Sequence, residues 1–145
     1  MKSYYPSIKT FDIDPRMKPD ILGDADNMDM IKNDTYDVVY SCHFLEHVYN
    51  PEKVLKECNR VLKPGGILYF CVPVVDINRI WKDGDEWNTH QHHFTKMNIT
   101  NLLNSTGFKL VKFEYRLWIK PIILEVFLGN LLKKGDIFFV AEKKS

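Results

Sequence analysis

Apolar positions along this chain fall into two kinds of pattern. Residues 36–42, YDVVYSC, and 67–73, ILYFCVP, are continuous apolar runs of strand length, as in strands buried on both faces. Between them Val54, Leu55, Cys58, Val61 and Leu62 recur at helical spacing. Asn50-Pro51 supplies a cap and a first-turn proline, and Lys63-Pro64-Gly65-Gly66 stops the helix. Residues 36–73 therefore read as one strand–helix–strand unit, which requires parallel strands and a right-handed crossover.

Upstream, residues 8–13, IKTFDI, alternate and carry β-branched and aromatic types, so they read as a strand that stops at Asp14-Pro15. Residues 20–23, DILG, read as a very short strand ending at Asp24. Downstream, residues 76–95 are rich in charge and aromatics and read as a long loop. A helix follows at about 97–106, with Ile99, Leu102 and Leu103 as its apolar face and Gly107 as its end. Residues 108–118 alternate like a long strand, and 136–144 give a last one. Residues 119–135 between them are unusually apolar and read as partly helical. No internal repeat or domain boundary interrupts the chain, so a single domain over 1–145 is expected.

Composition narrows the class. Apolar residues are 45% and charged residues 27% of the 145, a globular balance. A net charge of +1 offers no broad field for nucleic acid. No apolar run reaches the roughly 20 residues of a membrane span, and the N-terminal stretch MKSYYPSIKTFDIDP lacks the apolar core of a signal peptide. Cys42, Cys58 and Cys71 each sit in an apolar segment, which suits reduced, buried thiols. A cytoplasmic protein without stable membrane insertion is the expectation.

One short stretch carries candidate chemistry of its own. His43-Phe44-Leu45-Glu46-His47 has the H-x-x-E-H pattern of one class of zinc peptidases. That chemistry needs both histidines on one face of a continuous helix. Here His43 follows a strand directly, and Asn50-Pro51 opens a new helix three residues after His47. Both histidines are therefore expected in a strand-to-helix turn, with no third ligand defined downstream, and no metal is assigned.

The stretch YDVVYSCHFLEHVYNPEKVLKECNRVLKPGGILYFCVP resembles the central unit of class I S-adenosylmethionine-dependent methyltransferases, most closely the type 11-like group with LEHV and RVLKPGG motifs. The likeness runs from residue 8 to about 118 and is densest over 36–73. It implies a Rossmann-like α/β sheet, mostly parallel with an antiparallel C-terminal strand, and S-adenosylmethionine as cofactor. It implies that Cys42, His43 and Glu46 line or brace the cofactor's rim. The plainer alternative is that Glu46 and His47 tie the turn to its neighbours. TFDIDP resembles the family's second strand, whose acidic end accepts the ribose hydroxyls. By position that role falls to Asp12, with Asp14 as the alternative. GDADNMD resembles the third-strand motif, with Asp24 accepting from the adenine amino group and the backbone at Ala25 meeting the ring edge. Acidic residues at strand ends are also common solvated turn formers.

The chain departs from the family in one respect. None of its seven glycines precedes Gly23, so the family's first strand, glycine-rich loop and first helix have no counterpart. In the family's sheet order, 3-2-1-4-5-7-6, that strand is central. Either the TFDI strand pairs directly with YDVVYSC, or another chain fills the gap, or the sequence is a fragment of a longer enzyme.

The segment WNTHQHHFT, 87–95, resembles the acceptor-side stretch of methyltransferases acting on sugars and lipopolysaccharide precursors. His90 or His93 is then a candidate to take the proton from an acceptor hydroxyl. Trp81, Trp87 and Phe94 either wall the acceptor pocket or close the core. The expected activity is methyl transfer to a small-molecule or glycan hydroxyl, and the alternative is a non-catalytic remnant kept for assembly or partner binding. Residues 117–132 carry eleven large apolar residues interrupted by Lys120 and Glu125. A homodimer with this segment at or near the contact is expected.

Overall fold

The computed structural model describes residues 7–74, 90–116 and 135–144. In order, the elements are β1 (Phe11–Asp12), a 3-10 turn (Pro15–Met17), β2 (Ile21–Leu22), β3 (Tyr36–Cys42), α1 (Pro51–Val61), β4 (Leu62–Pro73), α2 (Lys96–Ser105), β5 (Phe108–Arg116) and β6 (Asp136–Lys143). They form two sheets. β1 and β2 pair in parallel, and a four-stranded sheet has the order β3-β4-β6-β5. β3 is parallel to β4, and β6 runs antiparallel to both β4 and β5. Only β6 therefore opposes the others in that sheet, as the expected architecture requires.

Local chemistry explains the helices. The Asn50 side chain accepts from the Lys53 N–H at 3.0 Å and Pro51 opens α1. Val54, Leu55, Cys58 and Val61 are the buried positions of α1, and Leu62 beyond its end is also buried. Thr95 and Asn98 close a capping box at the start of α2, whose buried residues are Ile99 and Leu103. These residues meet Leu68, Phe70, Val72, Ile137, Phe139 and Ala141 in one core, where the Phe70 and Phe139 rings lie 5.7 Å apart. The 3.6 and 2.0 periodicities thus converge on a single sheet face. Phe94 is buried in the same cluster, so it closes the core.

The structure corrects three expectations. Residues 36–42 form a strand with the expected bounds, but none of them is fully buried, and Val38 and Tyr40 are 55% and 58% exposed. Among the described residues β3 pairs only with β4, so it is an edge strand of the described sheet. Second, of the alternatives left open for the missing central strand, direct pairing of TFDI with YDVVYSC is not formed: β1 pairs with β2, and β1 and β3 belong to different sheets. Third, Lys63-Pro64-Gly65-Gly66 ends α1 but falls inside β4, where it forms a bulge between the pairs Tyr36–Leu62 and Val38–Ile67.

Most of the long loop, residues 75–89 with Trp81 and Trp87, lies outside the described residues. So does all of the apolar segment expected at a homodimer contact, residues 117–132. Among the described residues no helix is long and apolar enough to cross a membrane.

Candidate functional site

Three candidate segments follow the carboxyl ends of strands, the usual ligand side of an open α/β sheet. Asp12 ends β1 and is half-buried. Its Oδ1 accepts the Asp14 N–H at 2.9 Å, which fixes the carboxylate, and Oδ2 has no partner among the described residues. The Asp14 carboxylate is instead held by Arg16 at 2.6–2.9 Å, and that guanidinium holds its pKa below the usual carboxylate value. This leaves Asp12 as the better acceptor of the two.

Asp24 follows β2. It is exposed, and its Oδ1 accepts the Asp26 N–H at 3.1 Å while its carbonyl accepts from Asn27 at 3.1 Å. Ala25 is half-buried and packs against the core. The Gly23 N–H donates to the Asp12 carbonyl at 3.0 Å, so the two acidic strand ends are directly joined.

The third segment follows β3. His43 extends the strand ladder, its N–H donating to the Cys71 carbonyl at 2.9 Å, but its φ of +51° turns the chain sharply. Residues 43–50 form turns, and α1 begins only at Pro51, so the two histidines of HFLEH do not share a helix. Cys42, half-buried, stands opposite Cys71 in the parallel register.

Glu46 is the centre of this turn. Its side chain is 1% exposed, yet among the described residues neither carboxylate oxygen has a hydrogen bond. Imidazoles surround it. His43 Nδ1 lies 3.5 Å and His47 Nε2 3.7 Å from Oε1. The other face of His43 places Nε2 3.2 Å from Oδ2 of Asp136, a second buried carboxylate. The Glu46 carbonyl accepts from the Gln91 and His92 N–H groups at 2.8 and 3.2 Å, which docks the segment after the long loop onto the turn. That docking sets the His90 ring 4.9 Å from His47, edge to face. Burial pushes the His90 pKa down, against the pull of the Glu46 carboxylate. His93 is exposed, and its carbonyl accepts from the Asn98 side chain at 2.9 Å.

One member of this cluster, Asp136, 93 positions from His43, escapes sequence reasoning; His90 is a candidate from the sequence, but its place beside His47 is not, because its segment has no periodicity to orient it. The H-x-x-E-H spacing signals the cluster's centre, but only the fold supplies these partners.

A family model described as a methyltransferase domain matches residues 1–112. A probable S-adenosylmethionine-dependent methyltransferase of Mycolicibacterium smegmatis is 32% identical over 78 residues, 51% of this chain and 29% of that protein. Sterol 4-C-methyltransferase strm-1 of Caenorhabditis elegans is 37% identical over 62 residues, 43% of this chain and 18% of that protein. The matched segments thus span less than a third of these relatives. Among solved structures, a possible histamine N-methyltransferase from Thermotoga maritima superposes with a TM-score of 0.65 at 22% identity, over 86% of this chain and 63% of that one. At that identity the likeness concerns the fold.

Proposed function

Because the chain belongs to the methyltransferase-domain family, we propose that it binds S-adenosylmethionine, the cofactor this membership implies, and takes part in methyl transfer to a hydroxyl of a small molecule or glycan. The observation that carries this reading is the pair Asp12 and Asp24, at the ends of adjacent parallel strands and joined through the Gly23 N–H.

The residues present fit the adenosyl half of that cofactor. Asp12 has an oriented carboxylate with one oxygen open among the described residues. It suits ribose hydroxyls, to which charge-assisted bonds contribute about 1.5–3 kcal/mol each. The exposed Asp24 suits the adenine amino group, and the backbone at Ala25 the ring edge. Cys42, His43 and Glu46 brace the rim in the same reading. The cofactor supplies a methyl group made electrophilic by a sulfonium. The protein's part is to align an acceptor oxygen for in-line displacement and to take its proton. His90 or His93 fills that last role, His90 favoured because burial lowers its pKa and so favours the neutral imidazole that a base needs.

A second reading is a non-catalytic methyltransferase fold that binds a partner. It is favoured by the β3 edge, where Val38 and Tyr40 are exposed. Incubation with cofactor labelled in its methyl group and a panel of hydroxyl-bearing acceptors separates the two. Our reading expects label in an acceptor and loss of that transfer in Asp12→Ala. Cofactor bound without transfer to any hydroxyl acceptor would favour the second.

A further inference from the structure

We propose that Glu46, His47 and His90 bind a divalent transition-metal ion. Each offers a ligand atom, and the three atoms lie within 4.8 Å of one another. On a common ion with bonds of about 2.0–2.1 Å, neighbouring ligand atoms sit roughly 3.3 Å apart. The 3.7 Å between His47 Nε2 and Glu46 Oε1 is a small side-chain adjustment from that.

The second observation is independent of this spacing. The Glu46 side chain is buried and, among the described residues, neither of its oxygens is hydrogen-bonded. A buried carboxylate without such partners is strongly disfavoured. Of its imidazole neighbours, His47 stands at 3.7 Å, too far for a good hydrogen bond but well placed to share an ion. A cation supplies the missing charge.

The surroundings match the requirements of a site. The Glu46 carbonyl holds the Gln91 and His92 N–H groups, which fixes the segment bearing His90 against the turn bearing Glu46 and His47. His43 lies between Glu46 and Asp136, an outer partner of the kind that orients a ligating carboxylate. Two imidazoles and one carboxylate leave coordination positions open, and this donor set suits zinc, manganese or iron rather than calcium. The His47 side chain is 41% exposed, so the site is reachable from solvent. A neighbouring group, Cys42, His43 and Cys71, is a poorer candidate, because burial pushes the Cys71 thiol pKa far up and disfavours the thiolate.

The open positions would take an oxygen ligand. In this part the inference rests on the methyl-transfer reading. An acceptor hydroxyl bound there would lose its proton more readily, and with His90 committed to the ion His93 would be the remaining candidate base of that reading. Metal binding itself does not depend on that reading.

The test is metal binding by the whole chain, purified without a histidine tag, stripped with chelator and titrated calorimetrically with Zn²⁺ and with Mn²⁺. One equivalent of at least one metal is expected. Cobalt substitution should give visible absorption of a nitrogen- and oxygen-ligated ion. His47→Ala, at a half-exposed position, and Glu46→Gln should each weaken binding at least about 100-fold, and His43→Gln about 10–100-fold as an outer partner. His92→Ala should leave it unchanged. A folded wild type that binds no stoichiometric metal, or a His47→Ala variant that binds as tightly as the wild type, would overturn the proposal. S-adenosylhomocysteine binding is measured in parallel on the stripped protein, so failure of the metal site and failure of the cofactor reading are seen separately.

Discussion

Arg60, in the last turn of α1, donates through Nη1 to the carbonyl of Ile31 at 2.7 Å. The same guanidinium reaches the Met28 carbonyl at 2.8 Å, the Asn33 side chain at 2.8 Å and the Glu57 carboxylate at 2.8 Å. Glu57 in turn accepts the Met28 N–H at 2.7 Å. One helical pair thereby ties the segment that follows Asp24 to the strand–helix–strand unit. Arg60→Ala should cost roughly 2–3 kcal/mol in chemical denaturation, since it strips charged hydrogen bonds and leaves Glu57 without its partner. Arg60→Lys should recover little of this, because an ammonium cannot span carbonyls at several angles.

The same pair makes stability depend on pH. The Arg60 guanidinium, followed by the Met28 N–H, holds the Glu57 pKa below its ordinary value of 4.5. A lowered folded pKa contributes stability that is fully present above the unfolded value and is lost as pH falls through the folded one. Unfolding free energies measured from pH 7 to pH 3 should therefore show the advantage of wild type over Glu57→Gln shrinking below about pH 4.5. A constant difference across that range would mean the Glu57 carboxylate gains nothing from its partners.

The paired glycines of LKPGG have separate physical reasons. Gly65 has φ +71°, and a Cβ there would meet only Glu142 Oε1 at an ordinary contact of 3.9 Å, so Gly65→Ala should cost about 1 kcal/mol from the left-handed backbone alone. A Cβ on Gly66 would stand 2.7 Å from the Lys63 carbonyl oxygen, 3.1 Å from the Leu62 side chain and 3.3 Å from the Asp37 carbonyl oxygen. Two of those atoms are backbone and cannot swing away, so Gly66→Ala should cost more, about 2–3 kcal/mol. Thermal or denaturant unfolding of the two variants side by side checks the order.

Cysteine reactivity reports the packing of α1 and β4. Burial pushes the Cys58 pKa up to about 12 and raises Cys71 further. Both thiols should resist alkylation at pH 8 in the native protein, while half-buried Cys42 is the one residue open to modification. Mass spectrometry should find at most one adduct per chain before unfolding and three after it.

Sequence reading succeeded where one element decides the outcome. The α1 face of Val54, Leu55, Cys58 and Val61 follows from 3.6-residue spacing, and the bounds of β3 follow from the apolar run between turn residues. It failed where a distant partner decides. The run YDVVYSC says that β3 is apolar but not what covers each of its faces, and Val38 and Tyr40, two apart and so on one face, are exposed. At the candidate site, it is the resemblance of TFDIDP and GDADNMD to family motifs that marks Asp12 and Asp24, because strand-end position alone equally suits solvated turn formers. The contacts of His90 with His47 and of Asp136 with His43 join residues 43 and 93 positions apart, which no local pattern encodes.

The central claim is that this chain holds the adenosyl cofactor through the acidic ends of β1 and β2. Calorimetric titration with S-adenosylhomocysteine tests it most directly, on wild type and on Asp12→Asn with folding of both checked by circular dichroism. The account predicts saturable binding at one site in the wild type, weakened at least about tenfold in Asp12→Asn by the loss of one or more charged hydrogen bonds. A folded wild type that gives no binding heat at millimolar ligand, or an Asp12→Asn variant of undiminished affinity, would contradict it.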